Sequence, residues 1–172
     1  MVEFTKVRKV MNKERSSVLP PSNSLPAGKT VELAKAKINL KHKPSGVLLY
    51  ANVNWSATFN DSADGSWAET TFELLRDGSV IYHVHQSAIR GESKGAETSS
   101  ATVFRNAVLL YFDTVPAIDK IGKVTYTLRA TNIIVAALNG EHDATTTVNA
   151  GAVILTAQQI EACLPDNEQA AD

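Results

Sequence analysis

Six apolar residues at every second position, Leu49, Ala51, Val53, Trp55, Ala57 and Phe59, constrain this chain more than any other feature. Side chains at i, i+2 and i+4 share one face of a strand but scatter around a helix. The run 47–59 therefore predicts a long strand with one face in a core. A second signal sits at Asp77-Gly78, between the β-rich runs 69–75 and 80–85. Asp-Gly reaches φ > 0 cheaply, and such a two-residue turn matches the twist of paired strands. A hairpin is expected there. Its first arm alternates Thr70, Phe72 and Leu74 with Thr71, Glu73 and Leu75. Its second arm sets Val80, Tyr82 and Val84 against Ile81, His83 and His85.

The same pattern recurs along most of the chain. Strands are expected over 30–41, 101–112, 123–131 and 143–156, with a short apolar run at 133–138 ended by the turn pair Asn139-Gly140. An amphipathic helix competes over 30–41, where Glu32, Ala34, Lys35, Ala36 and Lys37 favour helix. Leu33 lies far from Ile38 and Leu40 on a helical wheel, which favours the strand. Pro116 stops pairing within 113–122. Turns or loops are expected at 43–46, 60–65 and 87–100, and a short terminal turn of helix at 157–161. The result is about eight strands and no helical layer. The predicted fold is an all-β jelly-roll β-sandwich with an extended N-terminal arm. An immunoglobulin-like sandwich is the alternative, without the internal cysteine pair that marks one class of it.

The chain divides by composition. Residues 1–15 alternate loosely, and 16–28 hold three prolines, four serines and a glycine, which favours an extended linker. The expected division is a basic, Pro/Ser-rich connector arm over 1–28, the sandwich over 29–162, and an acidic disordered tail over 163–172. Net charge is −1, but ten of the 17 Lys and Arg lie in residues 1–43 with three acids, leaving seven bases and fifteen acids in 44–172. This split fits a solvated tail on an acidic body, or an arm that docks on the body of another copy. At about 3.3 Å per residue an arm of this length reaches up to ~90 Å, beyond its own domain.

Residue chemistry points away from catalysis. No nucleophile–base motif, Gly-x-Ser-x-Gly segment or Cys/His quartet is present. His83 and His85 share a strand face and suit an interface or solvent better than a metal. The segment 60–65 offers Asp61 and Asp64 as oxygen donors but lacks the acid of an EF-hand loop. No catalytic, cofactor-binding or metal site is assigned, and no cofactor is expected. The lone Cys163 permits no intrachain disulfide. The basic arm lacks stacking aromatics for nucleic acid, and no apolar run is long enough to span a bilayer. No export signal is visible, so an extracellular protein of this kind is expected to leave by lysis or by assembly inside a mother cell.

The closing segment Gly151-Ala-Val-Ile-Leu-Thr-Ala-Gln-Gln-Ile160, the segment Thr125-Tyr-Thr-Leu-Arg-Ala130 and the Pro-rich leader resemble the TNF-like jelly-roll proteins of bacterial spore surfaces, including exosporium and spore-appendage subunits. The resemblance covers roughly residues 30–160. It implies a homotrimer about a three-fold axis, used as a building block of a spore-surface fibre. The chain has no Gly-X-Y stalk, and the basic arm stands in its place. The arm is then expected to join one assembly to the next through Phe4, Val7, Arg8, Lys9 and Val10, as an added edge strand or in a cleft between subunits. An anchor or tip protein of the spore surface is a further expected partner. The competing reading is a receptor- or glycan-binding head of a phage or virus fibre, or a lectin-like module. Trp67 and Arg90 would then supply contacts from loops 60–67 and 87–100.

Overall fold

The alternating run becomes an interior strand of a sandwich. The computed structural model describes residues 23–40, 46–60, 65–91, 100–114, 122–137, 141–143 and 145–160. They form β1 (Asn23–Ser24), β2 (Val31–Leu40), β3 (Gly46–Phe59), β4 (Trp67–Arg76), β5 (Ser79–Ile89), β6 (Ala101–Asp113), β7 (Gly122–Ala136) and β8 (Thr146–Ile160). Two four-stranded sheets result, in the orders β1-β8-β3-β6 and β2-β7-β4-β5. Every pairing is antiparallel. Each connection changes sheet except the β4–β5 hairpin, and this double wrap is the jelly roll that the strand pattern predicted.

Alternation builds the core. Val47, Leu49, Ala51, Val53, Trp55, Ala57 and Phe59 on β3 are all buried, facing Phe72, Leu74, Tyr126 and Leu128 of the opposite sheet. Trp55 and Phe72 meet across the sandwich with ring centroids 6.3 Å apart and planes tilted by 59°. Tyr82 of β5 and Tyr111 of β6 stack at 5.2 Å and join the two sheets at their other edge. Burying each large side chain of this kind is worth about 1.5–3 kcal/mol.

The hairpin turn forms as expected. Asp77 and Gly78 have φ of 47° and 91° between the paired Arg76 and Ser79. A polar staple closes the same end of the sandwich. Asp113, at the end of β6, accepts from Arg76 Nη1 at 2.8 Å and from the Tyr126 hydroxyl at 2.9 Å. Asp113 and Tyr126 are buried, and Arg76 and Tyr126 come from the opposite sheet. Burial first, and then the bond to Asp113, hold the Tyr126 phenol well above its ordinary range.

Three expectations are corrected. The run 123–131 and the apolar run from Ile133 as far as Ala136 are one strand, β7, because Asn132 takes a left-handed φ of 49° and bulges without ending the pairing with β4. The expected helical turn at 157–161 is strand as far as Ile160, because Ala157–Ile160 pair with Leu49–Gly46 and pairing overrides local propensity. The body begins before residue 29: β1 pairs with β8, and Leu25 lies in the core.

Candidate functional site

The outer faces of the two sheets differ in kind. On the β2-β7-β4-β5 sheet the outward row is Glu32, Arg129, Glu73 and His83. Arg129 Nε lies 2.7 Å from Glu73 Oε2, and Lys35 Nζ lies 3.0 Å from Glu32 Oε2. In the next row Thr71 Oγ1 lies 3.4 Å from His85 Nδ1, and His85 Nε2 is 3.8 Å from Glu69. Val80 stands apart on this surface, and at the far end Ile89 pairs with the half-buried Trp67, with Ile134 in the next row. Such a face is built for water.

The outer face of the β1-β8-β3-β6 sheet is apolar over half its length. Register places Phe112, Leu48 and Gln158 in one row, Leu110, Tyr50 and Thr156 in the next, and Val108, Asn52 and Ile154 in the third. Phe104 stands further along β6, beside Ser56. Phe104 is 77% exposed, Leu110 62%, Val108 50%, Ile154 42% and Phe112 39%. With side chains of about 150–200 Å² each, roughly half exposed, this patch amounts to some 500 Å². A standard interface buries about 800 Å² per partner, some 60% of it apolar. The patch is about the apolar area that one partner brings to a standard interface, and it is also within the range of the largest apolar patch on an ordinary monomer. Between Phe104 and the apolar rows lies a depression of about 490 Å³ lined by Asn54, Ser56, Phe104, Asn106 and Gly151. It arises where Gly151 and Ala152 of β8 together oppose Asn54.

This face was not singled out from the sequence, yet β6 carries a signal for it. Residues 107–112 read Ala-Val-Leu-Leu-Tyr-Phe, apolar on both faces. A strand of an antiparallel sheet with one face in water ordinarily alternates apolar with polar residues, and this run does not. The residues chosen from the sequence fare otherwise. Phe4, Val7, Arg8, Lys9 and Val10 lie outside the described residues. Arg90 is 4% exposed, so it is no loop contact: its backbone N–H donates to Ser66 and its carbonyl accepts from Gly65 as the two strand ends close. Trp67 is half-buried at the start of β4. His83 and His85 are exposed on the polar sheet. Asp61 and Asp64 lie outside the described residues; among the described residues no group of three His, Cys, Asp or Glu that could hold a metal occurs. No described helix is long and apolar enough to cross a membrane.

No protein-family model matches the sequence, and no curated protein matches it. Among solved structures the chain is similar to dimeric latent PorU from Porphyromonas gingivalis, at 15% identity and a TM-score of 0.35 over 88% of this chain and 12% of that one. It is also similar to the VP2 subviral particle of infectious bursal disease virus, at 16% identity and a TM-score of 0.34 over 82% of this chain and 30% of that one. The chain spans less than a third of the length of either.

Proposed function

We propose that this protein is a structural subunit that assembles with copies of itself. The single observation that carries this reading is the contrast between the sheets, one faced with ion pairs and the other with Tyr50, Val108, Leu110, Phe112 and Ile154. A lone molecule would expose that apolar face to water at a cost of about 25 cal/mol per Å². A second copy is the occupant we assign to it. The face runs out to β6, the edge strand of its sheet.

In the finer form of the proposal the assembly is a homotrimer, and the basic N-terminal arms link trimers into a fibre of the bacterial spore-surface kind. The sequence resemblance and the charge contrast between arm and body support this form. Electron microscopy of the full chain beside a chain lacking residues 2–15 tests it. Filaments are expected from the first and discrete particles from the second. Filaments from both would overturn the linking role of the arm.

A further inference from the structure

The outer face of the β1-β8-β3-β6 sheet changes character along its length but carries no charge. Among the described residues that β3, β6 and β8 turn outward there, none is Asp, Glu, Lys, Arg or His. The apolar rows end at Val108, Asn52 and Ile154. In the next row Asn106 stands beside Asn54, and one row further Phe104 stands beside Ser56. Cross-strand neighbours lie about 5 Å apart and residues i and i+2 about 7 Å apart, so these four side chains mark the corners of one small rectangle.

Gly151 of β8 borders the rectangle beyond Asn54. The fold itself does not require a glycine there. A bulge that needs glycine holds it at φ > 0, and Gly151 is not in that region. An added Cβ would meet Asn54 O at 3.6 Å and Asn54 Cβ at 3.9 Å, both ordinary van der Waals contacts. A glycine inside a strand weakens it, and one that neither dihedral angle nor internal packing demands suits a close approach from outside. The depression of about 490 Å³ lies at this point, within the range of about 300–1,000 Å³ usual for small-molecule sites.

The lining fits one class of ligand. Asn54 and Asn106 offer amide donors and carbonyl acceptors, and the Ser56 hydroxyl does both. Among the described residues none of these three side chains is bonded to a protein partner, whereas Asn52 on the same face donates from Nδ2 to the Tyr50 hydroxyl at 3.3 Å. Phe104 sets a ring that is 77% exposed beside them. A neutral sugar ring has the matching parts: hydroxyls that donate and accept around its rim, and C–H bonds on one face that pack on an aromatic ring. An anion would lose hydration here with no opposite charge to replace it. A wholly apolar ligand would leave the two amides without partners.

We propose that the depression between Phe104, Asn54, Asn106, Ser56 and Gly151 binds a neutral saccharide. Phe104 stacks on the sugar ring, the two amides and the hydroxyl bond its hydroxyls, and Gly151 leaves room for it. The site is separate from Trp67 and Arg90, which the sequence offered for such contacts. It does not rest on the self-assembly reading, whose apolar rows lie to one side of it.

A glycan array tests this. The full-length chain is biotinylated and held on streptavidin, so that multivalency does not depend on self-assembly. It is applied to neutral hexose, deoxyhexose and N-acetylhexosamine oligosaccharides beside sialylated and sulfated ones. Binding to neutral members, unchanged by added sodium chloride, is expected. By titration with the strongest of these, Phe104→Ala should bind about ten-fold more weakly. Gly151→Val, which fills the depression, should lose at least as much, and circular dichroism should not change in either variant. Failure to bind any neutral glycan overturns the proposal. So does binding confined to charged glycans, or binding that Phe104→Ala retains in full. Loss of self-assembly in Phe104→Ala without glycan binding by the native chain also overturns it, and gives the depression to a second copy. Glycan binding by a chain that sediments as a monomer supports the proposal and overturns self-assembly, so the two ideas fail separately.

Discussion

Asp113 offers the sharpest test of how the sandwich is held shut. Its two oxygens serve two partners from the opposite sheet, Arg76 at 2.8 Å and Tyr126 at 2.9 Å. Replacing it by alanine removes both bonds. The Tyr126 hydroxyl is then buried without an acceptor, a loss of about 1–3 kcal/mol, and the charge-assisted bond to Arg76 adds about 1–2 kcal/mol. The side chain of Arg76 is 27% exposed and recovers part of that bond from water. Asp113→Ala should therefore cost about 3 kcal/mol. Asp113→Asn keeps one acceptor for Tyr126 but turns the other position into a donor facing Arg76, and should cost about 1–2 kcal/mol. Tyr126→Phe leaves the Arg76 pair intact and should cost about 1 kcal/mol. In a chain of this size 3 kcal/mol lowers Tm by roughly 6–12 °C. Urea unfolding at one fixed protein concentration measures all three, because assembly makes stability depend on concentration. A cost for Asp113→Ala no greater than that for Asp113→Asn would refute the staple as a tie between the sheets.

Two further outcomes follow from the same end of the molecule. A Cβ added at Gly46 would lie 2.5 Å from the Phe112 ring and 2.8 Å from the Asp113 carbonyl, so Gly46→Ala should destabilise by about 1–3 kcal/mol in the same urea assay. The Tyr126 phenol titrates higher folded than unfolded, so the folded state binds its proton more tightly. The stability this contributes is complete below the unfolded value of about 10 and is lost as pH rises above it. The urea midpoint should fall as pH rises from about 10 to about 11.5, and fall less steeply in Tyr126→Phe.

Much of this architecture is legible in the sequence because its signals are local. The alternation at 49–59 needs only period 2, and the Asp77-Gly78 turn needs only two residues able to hold φ > 0. What was misread depends on partners distant in the chain. Ile160 is strand because Gly46 lies beside it, and the bulge at Asn132 continues β7 because β4 pairs on both sides of it. Arg90 reads as a surface loop residue because neighbours in sequence do not report burial. The apolar face was overlooked because Phe104, Val108, Leu110 and Phe112 alternate with the buried Ala107 and Leu109. One strand that serves two faces leaves no clean period, and only the register with β3 and β8 shows that its outward residues form one surface.

Sedimentation velocity of the full chain beside the double variant Val108→Lys, Leu110→Lys tests the central claim most directly. Both side chains are more than half or about half exposed, so the substitutions leave the core in place. The account predicts a discrete multiple of the 18.5 kDa chain for the native protein, and loss of that species with unchanged circular dichroism for the variant. A native protein that sediments as a monomer, or a variant that assembles as well as the native protein, would contradict it.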